Sequence, residues 1–269
     1  MAGKAVLEWR TFNVWCKQIK KITKDLLNKE VIEKFKSENT SEIYSDDIGW
    51  LEDIVRCVNP KAAGSDLEGE LTRRLMKYYS AVRAFHAGCP RNVSSYYEKG
   101  LLPLDPETLR SAVKSHFLGG DFPELSESDL DAVIEDTSLE TRVGRIYFNL
   151  DERILIEQCG HYLLYGSEYA TGIAAGLNRN RNDRTKDYKK SLKNLGKPTM
   201  FICDVPWNMI SEGTKGELTR TFIAELFRHL KTPSYRPTMI DFGFSIRCCL
   251  PPAQIAGHYH PEGVRDPIG

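Results

Sequence analysis

From Phe12 onward the apolar positions Phe12, Trp15, Ile19, Ile22 and Leu26 step by three and four, with lysines between them. That spacing predicts a helix with one apolar face. A second helical pattern follows Asp46-Asp47 through IGWLEDIVRCV, and a third covers Leu71 to Tyr79, with the polar NPKAAGSD between them. The first eighty residues therefore read as mainly helical. From residue 81 the texture changes to short β-rich runs: AVRAFHA, RIYFNL (145–150), TMFICDV (199–205) and MIDFGFSIRCCL (239–250). Helices are expected between them. Asp105-Pro106 pairs an N-cap with proline at the first helical position, and Ser126 with Asp129 resembles a capping box. GSEYATGIAAGL and ELTRTFIAELFRHL are further helices, the second ended by Thr232-Pro233.

Strands scattered among helices of uneven length favour an α+β class over regular βαβ alternation. The expected organisation is a helical region over 1–80 and a second domain over 81–269. No GxGxxG or GxxxxGK[ST] occurs, so neither a dinucleotide-binding turn nor a P-loop has sequence support. Apolar runs are too short to span a membrane and the N-terminus lacks the apolar block of a signal peptide, so a cytoplasmic location is expected. Seven cysteines without CxxC spacing argue for free thiols.

Charge changes the picture only locally. Lys and Arg balance Asp and Glu at 37 each, which leaves no global field for a polyanion. Yet Asp121 to Glu140 holds eight acids and no base, while Asn178 to Lys197 holds eight bases against two acids. The second stretch is either a solvated connection or a phosphate-docking patch.

Two stretches concentrate candidate chemistry. His86 sits in an apolar strand, where a histidine is commonly a core residue, but Ala87-Gly88 after it leave room for a ligand. CGHYLLYGSEYATGIA puts Tyr162, Tyr165 and Tyr169 beside Gly160 and Gly166. Such rings either stack a base or pack a helix on the sheet. His258-Tyr-His260 with Cys248-Cys249 upstream raises a metal site, but adjacent cysteines do not readily ligate one ion, and no metal is expected.

Arg83-Ala-Phe-His86-Ala-Gly followed by Gly100-Leu101, then Tyr165-Gly-Ser167-Glu-Tyr169, then Asp241-Phe-Gly-Phe-Ser-Ile-Arg ahead of Pro251-Pro252, together resemble the ADP-ribosyltransferase superfamily. The resemblance covers 81–260. It implies a split β-sheet core gripping extended NAD as substrate, with the helical N-terminal region added. It also implies rupture of the nicotinamide–ribose bond and transfer of ADP-ribose to a macromolecule. Carried onto this chain, His86 contacts the ribose and Arg83 faces the pyrophosphate. Ala87 and Gly88 lie along the cofactor, Tyr162 or Tyr165 stacks on nicotinamide, and Ser167 with Tyr169 shapes the pocket. Asp241 stands where many members carry a catalytic Glu, one methylene shorter, and Glu168 and Glu217 are the alternative acids.

The class implies an intracellular toxin, as in toxin–antitoxin pairs, or an antiviral defence effector. A nucleic-acid acceptor, RNA or DNA, would bind through Arg179, Arg181, Arg184, Lys186, Lys189 and Lys190, and an inhibitory protein would bind at the N-terminal helices. The alternatives are a transferase acting on protein and a catalytically inactive NAD- or partner-binding module.

Overall fold

The structure is a computed structural model. It describes residues 5–38, 43–59, 66–137, 143–180, 187–193 and 195–268. In chain order its elements are β1 (Ala5–Leu7), α1 (Phe12–Ile22), α2 (Lys29–Ser37), α3 (Gly49–Val58), α4 (Leu67–Tyr78), β2 (Tyr79–Gly88), α5 (Ser94–Lys99), α6 (Pro106–Phe117) and α7 (Glu127–Asp136). They continue with β3 (Ile146–Asn149), α8 (Glu152–Glu157), α9 (His161–Tyr165), α10 (Glu168–Asn180), α11 (Tyr188–Leu192), β4 (Thr199–Pro206), α12 (Glu212–Lys231), β5 (Gly243–Ile246) and β6 (Ile255–Tyr259). The class is mixed α and β, and no helix among the described residues is long and apolar enough to cross a membrane.

The chain forms two units, Met1–Arg83 with Val205–Ile240, and Ala84–Asp204 with Asp241–Gly269. The sequence pattern sets one boundary near 80/81. The first unit instead runs to Arg83 and takes in Val205–Ile240, a stretch expected in the second domain.

The reason lies in the first unit's core. The α1 periodicity buries Phe12, Trp15 and Ile19. Trp15 packs edge-on against Phe222 of α12 at 4.9 Å, and its indole N–H donates to the Trp9 carbonyl at 2.9 Å. Phe35 of α2 and Trp50 of α3 meet Phe227 at 4.9 and 5.2 Å. A buried Thr72 to Thr219 hydrogen bond of 2.8 Å ties α4 to α12. Each ring removes large apolar area from water, so the helix that supplies Phe222 and Phe227 belongs with the partners of those rings.

The strands run in the order β5-β3-β2-β4-β6, and β1 joins β2 in parallel at Tyr79–Val82. Pairing is antiparallel for β2–β3 (Phe85 opposite Asn149), β3–β5 (Phe148 opposite Phe244) and β4–β6 (Phe201 opposite His258). The strand expected over 239–250 shortens to β5, and Leu250 forms a separate antiparallel bridge with Leu101. Within the second unit α6, α7, α10 and α11 share a core that includes Phe117, Leu130, Ile173 and Tyr188. Asp105 and Ser126 cap α6 and α7, accepting from the Thr108 and Asp129 amides at 2.8 and 3.2 Å. At Gly176 a Cβ would lie 2.5 Å from Val133 Cγ1, so glycine sets the close approach of α10 to α7.

Candidate functional site

Strand alternation in β2 sends Phe85 and Ala87 into an apolar cluster with Leu155, Leu163 and Met200. His86 takes the opposite face and is half-buried. Its Nδ1 lies 2.9 Å from the Tyr147 carbonyl oxygen, which can only accept, so Nδ1 carries the proton. In the neutral ring this leaves Nε2 as an acceptor. Burial pushes the His86 pKa down, with the bond to Tyr147 opposing.

His86 begins a row of rings. It stands 5.9 Å from Phe148 and 6.3 Å from Phe201, and Phe201 continues to His258 at 6.2 Å. Tyr96 covers Phe201 at 4.4 Å, and the Tyr97 hydroxyl meets His258 Nδ1 at 2.7 Å. Burial raises both tyrosine pKa values. The Gly100-Leu101 exit holds α5, which carries both tyrosines. Gly100 has φ +80°, and a Cβ there would lie 2.0 Å from the Leu250 carbonyl oxygen. Leu101 and Leu250 exchange backbone hydrogen bonds of 3.0 and 2.9 Å. At Gly88 the nearest atom to an added Cβ is Pro90 Cδ at 3.9 Å, so that position is open.

A second group gathers carboxylates. Asp241 is exposed and accepts from the amide of Asn149 at 3.1 Å. Asn149 is 4% exposed, and its own side-chain oxygen accepts from the Asp151 amide at 3.0 Å, which fixes its orientation. Glu168, at the start of α10, accepts from the Tyr162 hydroxyl at 2.5 Å and from His161 Nε2 at 3.4 Å. Cys159 lies within the electrostatic reach of both acids: burial raises its thiol pKa first, then Asp241, then Glu168.

The expected site residues fall into separate groups. Asn149 pairs with Phe85 and so shares its face, and Tyr162 and Cys159 pack on the Phe85 cluster. His86 faces the other way. Arg83, an odd number of residues from His86, belongs to the first unit and pairs with Glu8 at 3.2 Å. Tyr165 is 2% exposed, its hydroxyl on Asp266 at 2.6 Å, and Tyr169 is buried in the same helical core. Neither presents a ring face to a ligand. Ser167 caps α10, accepting from the Ala170 amide at 3.1 Å. Glu217 is exposed on α12 of the first unit.

Of the basic residues, Arg179 and Lys190 are exposed, whereas Lys189 bonds to the Ile268 carbonyl and stands 5.9 Å over the Tyr165 ring. Arg181, Arg184 and Lys186 lie outside the described residues. Among the described residues no group of three or more His, Cys, Asp or Glu side chains is arranged to hold a metal ion.

Asn149, Phe201 and the Tyr97–His258 pair escape sequence reasoning. A polar Asn inside the apolar run RIYFNL is the one signal that could have found the first. No family model, no curated protein and no solved structure matches this chain.

Proposed function

We propose that the protein is an ADP-ribosyltransferase that uses NAD to modify a macromolecule. The observation that carries the reading is that, Arg83 apart, the three sequence stretches behind the resemblance fall in one unit, with Leu101 of the first bridged to Leu250 beside the third. Asp241 accepts from the side-chain amide of Asn149, and Glu168 accepts from the Tyr162 hydroxyl. The split-sheet architecture expected of that family belongs to this proposal.

In the proposed reaction the bond from C1′ of the ribose to the nicotinamide nitrogen breaks, and its electron pair leaves with nicotinamide. The acceptor nucleophile then bonds to C1′ and releases its proton to solvent. Asp241 supplies the carboxylate that stabilises the oxocarbenium-like centre, held in place by Asn149. Tyr162 is the nicotinamide ring partner, because it is only half-buried while Tyr165 is enclosed. His86 Nε2 accepts from a ribose hydroxyl. This reading requires one extended dinucleotide to reach both groups. The acceptor is nucleic acid, engaged through Arg179 and Lys190.

Incubation with NAD labelled in its adenylate phosphate, in the presence of RNA, DNA or lysate protein, tests this. Transfer of label that His86→Ala weakens and Asp241→Asn removes supports the reading. Label appearing on protein alone shifts the acceptor and leaves the chemistry standing. The placement of His86 and the acids on different faces favours a second reading, a catalytically inactive binding module. Saturable NAD binding by calorimetry without transfer would establish it.

A further inference from the structure

The first unit carries a groove with no part in the reaction above. The turn after α1, the exposed side of α2 and the end of α12 enclose a cavity of about 420 Å³. Its floor is apolar: Leu27 and Leu226 are buried, and Ile32 and Leu230 are half-buried at its surface. Its rim is Lys20, Lys24, Lys29 and Lys36, against one acid, Glu33, among the described residues. Glu33 pairs with Lys29 at 3.4 Å, with side chains 61% and 87% exposed, so water screens that pair strongly. Among the described residues no carboxylate pairs with Lys20 or Lys36.

The rim follows from sequence spacing. Lys17, Lys20 and Lys21 recur at three and four residues on the side of α1 away from Trp15 and Ile19, and Lys24 follows in the turn after the helix. A second cavity of about 480 Å³, lined by Asn13, Lys17, Lys20, Lys21 and His229, extends the basic strip along α1. On α2, Lys29, Ile32, Glu33 and Lys36 share one face by the same rule.

We propose that this groove docks an acidic amphipathic helix of a partner protein. An apolar floor between helices receives side chains spaced i, i+3, i+4 and i+7 from a helix laid along it. The lysine rim selects acidic flanks and steers their approach. Single-stranded nucleic acid is disfavoured, because it needs open ring faces for stacking, and among the described residues the one aromatic side chain lining the first cavity, Phe227, is 0% exposed.

Fluorescence anisotropy with the full chain tests the proposal. The probe is a labelled peptide about five turns long, with leucines on one helical face and glutamates elsewhere. The controls are a permuted peptide of the same composition with leucines on all faces, oligouridylate, and phosphatidylserine vesicles. The amphipathic peptide should bind at least about tenfold more tightly than the permuted one, equivalent to ~1.4 kcal/mol. Lys20→Glu with Lys24→Glu, and separately Ile32→Asp, should each weaken it by about tenfold. If Ile32→Asp lowers the melting temperature, the Lys20 and Lys24 variant decides. Equal binding of the two peptides, no saturable binding, tighter binding of oligouridylate or vesicles, or wild-type affinity in the lysine variant would each overturn the proposal.

Discussion

Two collections of rings in this protein have similar side chains and different surroundings. In the first unit Trp15, Phe35, Phe222 and Phe227 are at most 1% exposed, pack edge to face in the pairs Trp15–Phe222 and Phe35–Phe227, and Trp15 donates its N–H to a backbone carbonyl. In the second unit the row from His86 through Phe201 to His258 mixes imidazoles and phenols with phenylalanines, and Tyr97 is 38% exposed. The first pattern is what folding needs, since enclosed rings contribute through area and edge-to-face contact. In the second, Nδ1 of each imidazole and the Tyr97 hydroxyl are hydrogen-bonded, which offsets the cost of their partial burial.

The comparison breaks most easily at Trp15. Trp15→Ala should cost about 3–5 kcal/mol of stability, read from chemical denaturation, because it empties the centre of a packed cluster. A loss under about 1 kcal/mol would mean that the first collection is not a core. By contrast His86→Ala should weaken NAD binding by about tenfold, the value of one hydrogen bond, with little change in melting temperature. A large fall in stability with unchanged binding would return His86 to the core. Tyr97→Phe removes one bond to His258 and should cost only about 0.5–1.5 kcal/mol.

The smallest effect is the pH dependence. Burial holds the folded pKa of His86 below its ordinary 6.5. The unfolded chain therefore takes up the proton first as pH falls. Stability should be highest above that value, decline as pH drops below it, and level off once the folded ring is protonated. Burial lowers the His116 and His229 pKa values as well, so they add to the same trend. His86→Gln should shallow the decline, as followed by melting temperature across this range, and an unchanged slope would remove His86 from it.

What could be read from the sequence was local. The steps of α1 as far as Ile22, the Asp105-Pro106 start of α6 and the Ser126 cap of α7 depend on residues within one or two turns, and the structure has each of them, while the expected step to Leu26 falls in the turn after α1. The membership of Val205–Ile240 in the first unit could not be read that way. It depends on Trp15 finding Phe222 some two hundred residues later, and nothing near either residue encodes the pairing. The tyrosines show the same limit. Tyr162, Tyr165 and Tyr169 look alike in sequence, yet only Tyr162 is half-buried, because α9 and α10 turn the other two into the helical core. Short helices such as α8 and α11 escape periodicity because they hold fewer than two turns.

One assay tests the role proposed for Asp241 as the carboxylate of NAD-dependent transfer. Wild-type protein and Asp241→Asn are incubated with adenylate-labelled NAD and a mixture of RNA, DNA and protein, while free nicotinamide and covalent label are measured together. The wild type should release nicotinamide in step with label transfer. Asp241→Asn should lose at least about 100-fold, with the melting curve unchanged. Undiminished transfer by Asp241→Asn, or no nicotinamide release by the wild type, would contradict it.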